Sequence, residues 1–207
     1  TQKEISDMLH KMKLDIIKWK LTNKNTNMSP EQNTILTAYT VFKMLLESGD
    51  RNDSADMYLI SKTMLKKIPE EQRDKNYILE ISRGKYVIKY YSHKMAGKTE
   101  MSDRTLSDDV NKDIRFYLKA KNIHYGEYMF ANSSGTVYTR NIISQVLSKT
   151  SKHYCGKCVG SRVIRHLIIT EEQKEIAEKK KEVDDFLKEK AKSHGHSTGM
   201  IKIYQDQ

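Results

Sequence analysis

The amino-acid sequence predicts a mainly helical protein with one small antiparallel β-sheet, which is an α+β fold. Apolar residues recur at helical spacing in several long segments that begin with capping residues. One pair of alternating β-forming segments, 77–81 and 86–91, flanks a turn that contains Gly84. A length of 207 residues suits one large domain or two small ones. We predict an N-terminal helix and linker over 1–27 and a single domain over 28–207.

The first two helices have the clearest sequence signals. Residues 2–20 carry apolar side chains at helical spacing opposite a lysine-rich face, and the asparagine-rich segment 23–27 is typical of a linker. Ser29-Pro30-Glu31-Gln32 predicts a helix start, because serine caps, proline suits the first helical position and glutamine completes a capping box. We expect this helix to end near Gly49, and a further helical stretch to start after Arg51-Asn52-Asp53.

Later segments combine a weak strand signal with strong helix signals. Ser107-Asp108-Asp109 predicts a helix start, since an acidic first turn suits the helix dipole. Glutamate and lysine alternate at a helical period over 171–192, which is typical of a solvated helix with ion pairs along it. The other predicted elements are a third short strand near 98–105, a turn at 132–135, helices over 139–150 and 161–170, and a short helix that carries Tyr204.

The charge balance indicates a polyanionic partner. The chain has 37 Lys and Arg residues against 27 Asp and Glu residues, which gives a net charge of +10. Such an excess attracts nucleic acid, the commonest polyanion, although a basic protein with no specific partner has the same charge. No apolar run approaches the roughly 18 residues of a membrane span. We therefore expect a location inside the cell, at DNA, and no membrane partner.

The two cysteines stand close together in His153-Tyr154-Cys155-Gly156-Lys157-Cys158. A Cys-x-x-Cys pair raises the hypotheses of a zinc site and of a redox site. Structural zinc needs four ligands, and His153 offers only a third. A thioredoxin-like site needs a βαβ context, and the sequence after the pair reads as a loop that enters a helix. We predict two reduced thiols and no metal or other cofactor.

The last part of the chain holds an ordered set of groups suited to phosphoryl transfer. Arg162 and Arg165 come first, then His196 in Gly195-His196-Ser197, and then Tyr204. An arginine offers a planar fork that matches two phosphate oxygens, and a histidine offers a hydrogen-bond donor at neutral pH. A tyrosine hydroxyl can act as a covalent nucleophile. This order predicts cleavage of a phosphodiester through a tyrosyl intermediate, with cations in place of a metal.

These residues resemble the catalytic domain of the tyrosine recombinases, the family that includes integrases and resolvases. Arg165-His166 resembles its second arginine box, Gly195-His196-Ser197 resembles its second histidine box, and Tyr204 resembles its nucleophile. Segment 128–135 is similar to the family's phenylalanine, short turn and glycine. The resemblance covers about residues 28–207. The form Arg51-Asn52-Asp53 resembles the integrases of large DNA viruses and mobile elements more closely than it resembles bacterial enzymes.

The resemblance also indicates a lysine and a further arginine. The hairpin over 77–91, followed by 92–98, is similar to the family's lysine hairpin, and Lys94 matches better than Lys98. Arg51, in Arg51-Asn52-Asp53, is the best match to the family's first arginine.

The resemblance implies a role for each residue in the cleavage and rejoining of DNA. Arg51, Arg165 and His196 would bind the scissile phosphate, with Arg162 as a fourth contact. Lys94 would donate a proton to the leaving 5′-oxygen, since that oxygen needs an acid. The implied function is site-specific recombination or integration through a 3′-phosphotyrosyl intermediate. Double-stranded DNA would be the partner, and we expect the protein to self-associate on it.

The sequence departs from the family's usual pattern at three places, and two alternatives stay open. Arg162 stands where histidine or lysine is usual, the interval from His196 to Tyr204 is one residue shorter than usual, and the interval from Arg165 to His196 is longer. The first alternative is a type IB topoisomerase-like enzyme that nicks and closes one duplex. The second is a catalytically weak DNA-binding protein on the same scaffold.

Overall fold

The structure, a computed structural model, describes residues 1–20, 28–49, 55–92, 103–132 and 134–194. The chain divides into two compact units, Thr1–Arg165 and His166–Gln207. The protein is mainly helical with a small four-stranded sheet, which confirms the α+β class. The elements in chain order are α1 (Gln2–Lys18), α2 (Pro30–Ser48), β1 (Tyr58–Ser61), α3 (Lys62–Lys67), a short 3-10 helix (Glu70–Gln72), β2 (Tyr77–Ser82), β3 (Lys85–Lys89), β4 (Arg104–Thr105), α4 (Asp108–Ala120), α5 (Arg140–Cys155) and α6 (Ser161–His194).

Helix α2 forms the centre of the first unit. It begins as predicted, because the Ser29 side chain accepts from the Gln32 backbone and the Gln32 side chain accepts from the Ser29 backbone. It ends at Gly49, whose φ of 65° lies in the left-handed region that glycine adopts without strain. Helices α1, α4 and α5 pack around α2. The apolar side chains of α2 that are buried against them are Ile35, Leu36, Ala38, Tyr39, Val41, Phe42, Met44 and Leu45.

The predicted hairpin is confirmed. Strands β2 and β3 pair antiparallel, and the turn at Arg83-Gly84 joins them. Strand β4 pairs antiparallel with β3, so that Val87 lies opposite Thr105 and Ile88 opposite Arg104. The strand predicted near 98–105 is therefore confirmed at its last two residues, whereas residues 98–102 lie outside the described part of the chain.

The helical stretch predicted directly after Arg51-Asn52-Asp53 is wrong. The described chain resumes at Ala55 and forms β1, which pairs in parallel with β2, so the sheet is mixed and not purely antiparallel. The reason is the pairing with β2: Leu59 and Ile60 are both buried there, and consecutive apolar residues suit a strand covered on both faces. A short helix, α3, follows only at Lys62, where the Ser61 side chain caps it.

The two helices predicted over 161–170 and 171–192 form one helix, α6, of 34 residues. Residues 161–192 contain neither glycine nor proline, the two strongest helix breakers, so nothing in the sequence ends the first helix at residue 170. Thr170 continues the helix, and its hydroxyl donates to the His166 carbonyl at 2.8 Å. Helix α5 also extends beyond its predicted end at residue 150, and Gly156 terminates it with a φ of 71°.

Candidate nucleic-acid site

The first turn of α6 is held in place by a buried serine of α5. Ser151 is fully buried, and its hydroxyl accepts from the Val159 backbone N–H at 2.7 Å. The Gly160 carbonyl then accepts from the N–H groups of Val163 and Ile164 at 3.0 and 3.2 Å, which starts the helix. Ile164 is also fully buried, so this turn is anchored from one side. The orientation of the other side chains in the turn follows from these contacts.

Arg162 and Arg165 share one face of this first part of α6, because residues three apart on a helix are neighbours. The side chain of Arg162 is exposed, and that of Arg165 is half-buried. Within the described residues, neither guanidinium forms an ion pair with a carboxylate. The first turn of α6 also has no acidic residue to neutralise its N-terminal dipole. The arrangement offers two guanidinium groups and a helix N-terminus to an anion.

The residues before Lys94 are fixed by a buried asparagine. Asn76 has no exposed surface, and its side-chain oxygen accepts from the backbone N–H groups of Tyr91 and Ser92 at 3.1 and 2.9 Å. Its amide donates to the Ser92 carbonyl at 2.7 Å. Lys94 itself lies outside the described residues. The described chain resumes at Asp103 and forms β4.

The N-terminus of α5 lies near two described residues that neighbour predicted site residues in the sequence. Ser92 precedes Lys94, and Asp56 follows Arg51. The Arg140 guanidinium donates to the Ser92 carbonyl at 3.5 Å. Arg140 also lines a pocket together with Asp56, Val137, Tyr138, Thr139 and Asn141. The structure therefore brings the described neighbours of Arg51 and Lys94 to one place, the start of α5.

The structure places two of the six predicted site residues. Arg162 and Arg165 lie together on α6, and both belong to the first compact unit. The four others, namely Arg51, Lys94, His196 and Tyr204, lie outside the described residues, as does the short helix predicted around Tyr204. The predicted roles of all six residues stay predictions.

Both cysteines are free thiols in the structure. Cys155 is half-buried and donates to the Ser151 carbonyl at 3.1 Å, whereas Cys158 is exposed. Among the described residues, no three His, Cys, Asp or Glu side chains are grouped so that they could hold a metal ion. The Cys155 thiol therefore lies in the last turn of α5, bonded to the helix backbone, and the Cys158 thiol lies just beyond that helix.

Four residues of this region were not identified from the sequence: Asp56, Asn76, Arg140 and Ser151. One carboxylate oxygen of Asp56 is buried and has no hydrogen-bond partner, and Asn76 and Ser151 are fully buried polar residues. The sequence offers a signal for one of them, since Arg140 directly follows Thr139, a residue type that caps helices. The others make contacts across long stretches of chain, and no local pattern reports such contacts.

The described helices include none that is both long and apolar enough to cross a membrane. Comparisons of the chain with protein-family models, with curated proteins and with solved structures found no match.

Proposed function

We propose that the protein cleaves and rejoins double-stranded DNA through a 3′-phosphotyrosyl intermediate, with Tyr204 as the nucleophile. The observation that supports the proposal most is the pair Arg162 and Arg165 at the start of α6. Two guanidinium groups without a carboxylate partner among the described residues suit a phosphodiester. The net charge of +10 favours the same partner. We propose that this reaction serves site-specific recombination or integration, and that the protein acts on DNA inside the cell.

The proposed chemistry needs positive charge around one phosphate. As the tyrosine oxygen attacks phosphorus, charge rises on the non-bridging oxygens, and preorganised donors stabilise it. Arg165 and Arg162 would supply two of these donors, and Arg51 and His196 would supply the others. Lys94 would protonate the 5′-oxygen as its bond to phosphorus breaks. Each proposed group thus has one role at one atom of the substrate.

A nicked suicide DNA substrate tests the proposal. Cleavage of such a substrate releases a short fragment and leaves the protein attached to the DNA, so a denaturing gel shows a covalent adduct. The Tyr204→Phe variant should form no adduct and should still bind DNA, because only one hydroxyl is lost. Tyr125→Phe is the matched control, since Tyr125 is 49% exposed in the first compact unit. An adduct that persists in Tyr204→Phe contradicts the assignment.

The same assay distinguishes the related functions. Exchange of strands between two labelled duplexes indicates a recombinase, whereas relaxation of one supercoiled circle without exchange indicates a topoisomerase-like enzyme. Binding of DNA with no adduct in the unmodified chain leaves only a DNA-binding protein.

A further inference from the structure

Helix α6 carries large apolar side chains that face solvent. Within the second compact unit, Ile176, Val183 and Phe186 are 65%, 56% and 57% exposed, and Ile169 is 38% exposed. Ile169, Ile176 and Val183 are spaced seven residues apart, and Phe186 follows three residues after Val183. Residues at this spacing lie along one side of a helix. Large apolar side chains exposed along one side of a long helix mark an interaction surface.

The stripe has the spacing of a coiled coil. Coiled coils place apolar residues at the first and fourth positions, a and d, of a seven-residue repeat. Ile169, Ile176 and Val183 occupy a positions, followed by Lys190, and Phe186 occupies a d position. The earlier d positions are Glu172 and Lys179, and both are exposed in the structure. Charged residues at core positions specify the orientation and register of the partner helix.

We propose that two copies of this chain associate through α6, with the two helices running antiparallel. In an antiparallel pair, an a position of one helix packs against a d position of the other. One register then sets Ile176 against Phe186 of the second copy, and Glu172 against Lys190 of the second copy. It also sets Val183 beside the aliphatic stem of Lys179 of the second copy, and that lysine can extend its charged end to solvent.

A parallel pair fits the same residues poorly. It would place Glu172, Lys179 and Lys190 each against the identical residue of the second copy, which sets like charges together in three core layers. The antiparallel pair has a smaller cost at its two edges, where Glu175 and Glu182 approach glutamates of the second copy and Lys180 approaches the second copy's Lys180. These edge side chains are exposed, and solvent screens them. The core layers therefore decide for the antiparallel arrangement.

Disulfide trapping tests the orientation in the absence of DNA, so its outcome is independent of the proposed cleavage. The background is Cys155→Ser with Cys158→Ser, which removes the native thiols. Ile176→Cys and Phe186→Cys should each stay uncrosslinked alone, because copies of the same position lie about 15 Å apart, at ~1.5 Å per residue. A mixture of the two variants should crosslink. Crosslinking of each variant alone would show a parallel pair, and no crosslink in the mixture would show no pair, so either result overturns the proposal.

Sedimentation across a concentration series tests the energetics. Phe186→Ala should weaken dimerisation at least tenfold, and the control Lys181→Ala, an exposed change on the opposite face of α6, should leave it unchanged.

Glu172→Lys should weaken the dimer, and Lys190→Glu in the same chain should restore it by recreating the pair with the charges exchanged. A chain that stays monomeric at every concentration overturns the proposal, as does a Glu172→Lys defect that Lys190→Glu does not repair.

Discussion

Arg165 is the single residue whose surroundings support the proposed phosphate contact most directly. It follows the fully buried Ile164 and is itself half-buried, without a carboxylate partner among the described residues. Removing a cation from water costs free energy unless an opposite charge or hydrogen bonds compensate. A bound phosphate would provide both. The half-buried position is therefore consistent with the proposed role in binding an anion.

We predict that Arg165→Ala slows formation of the covalent DNA adduct by roughly 10²–10³-fold, the scale of losing one preorganised donor in a transition state. Arg165→Lys should also be slow, because lysine keeps the charge and loses the bidentate fork. Single-turnover cleavage of the suicide substrate measures both. Arg83→Ala is the control, since Arg83 is exposed at the hairpin turn, and it should cleave normally. Near-normal cleavage by Arg165→Ala would show that the site lies elsewhere.

A second residue-level prediction concerns Asn76. Asn76→Ala would leave the half-buried backbone N–H groups of Tyr91 and Ser92 without their side-chain acceptor, at a cost of about 1–3 kcal/mol for each group left unsatisfied. Asn76→Asp keeps an oxygen that accepts from Tyr91 and Ser92. It replaces the amide group that donates to the Ser92 carbonyl with a second oxygen, so two acceptors would face each other and the variant should also be destabilised. Urea unfolding measures the loss in each variant. Ser82→Ala, an exposed change in the same hairpin, should be neutral, and a neutral Asn76→Ala would contradict the role given to this side chain.

At the level of elements, the sequence predicted those whose signals are local. The start of α2 was predicted from Ser29 to Gln32 and its end from Gly49, because caps and breakers act within a few residues. The hairpin of β2 and β3 was predicted for the same reason. Strand β1 was missed because its conformation depends on parallel pairing with β2, a partner that is distant in sequence. The continuity of α6 was missed because a change in composition at residue 170 looked like a boundary.

The candidate site was predictable only in part, for a related reason. Arg162 and Arg165 were predicted from the order of groups along the chain and from the resemblance of Arg165-His166 to the family's arginine box, and their helical spacing places them on one face. The buried contacts that orient them were not found, since Ser151 and Val159 meet only after α5 and α6 have formed. The clamp of Asn76 on Ser92 likewise depends on the paired strands. Sequence order indicates which groups are present, whereas distant contacts decide where they point.

An element-level prediction concerns the contact of α2 with α4. Lys43 on α2 lies 2.5 Å from Asp109 and 3.8 Å from Asp113 of α4, and the Tyr39 hydroxyl donates to Asp113 at 3.1 Å. Burial raises the pKa of Asp113, whereas the hydrogen bond from Lys43 lowers the pKa of Asp109. Asp109 is 61% exposed, so solvent screens its pair with Lys43, and Lys43→Met should cost about 1 kcal/mol at pH 7.

The cost should depend on pH in a definite direction. The depressed pKa of Asp109 gives stability that is present above the ordinary aspartate value of 3.8 and is lost as pH falls through its folded value. The raised pKa of Asp113 means that this side chain takes up a proton above 3.8, after which it no longer needs the lysine. The difference in unfolding free energy between the unmodified chain and Lys43→Met should therefore shrink from pH 7 to roughly pH 3. Lys119→Met, an exposed change on α4, should show no such trend, and a pH-independent cost for Lys43→Met would contradict the ion-pair explanation.

At the scale of the whole molecule, the net charge of +10 is the property that the proposed partner would meet first. Charge of one sign steers a polyanion to a protein before any specific contact forms. The proposed dimer would double this charge and hold two phosphate-binding sites in one assembly. Long-range attraction and local arginine contacts make different contributions to affinity, and salt separates them.

We predict that binding of a duplex is strongly salt-dependent. If the protein contacts about six phosphates, release of their counterions gives a slope near −5 for the logarithm of the association constant against the logarithm of salt concentration. Arg162→Ala and Arg165→Ala should each reduce the magnitude of the slope by about one, because each removes one phosphate contact. Fluorescence anisotropy with a labelled duplex measures the slope at several salt concentrations. Tyr204→Phe, which removes no charge, should leave the slope unchanged. A flat salt dependence in the unmodified chain, or no binding even at low salt, would contradict the nucleic-acid function on which the cleavage chemistry rests.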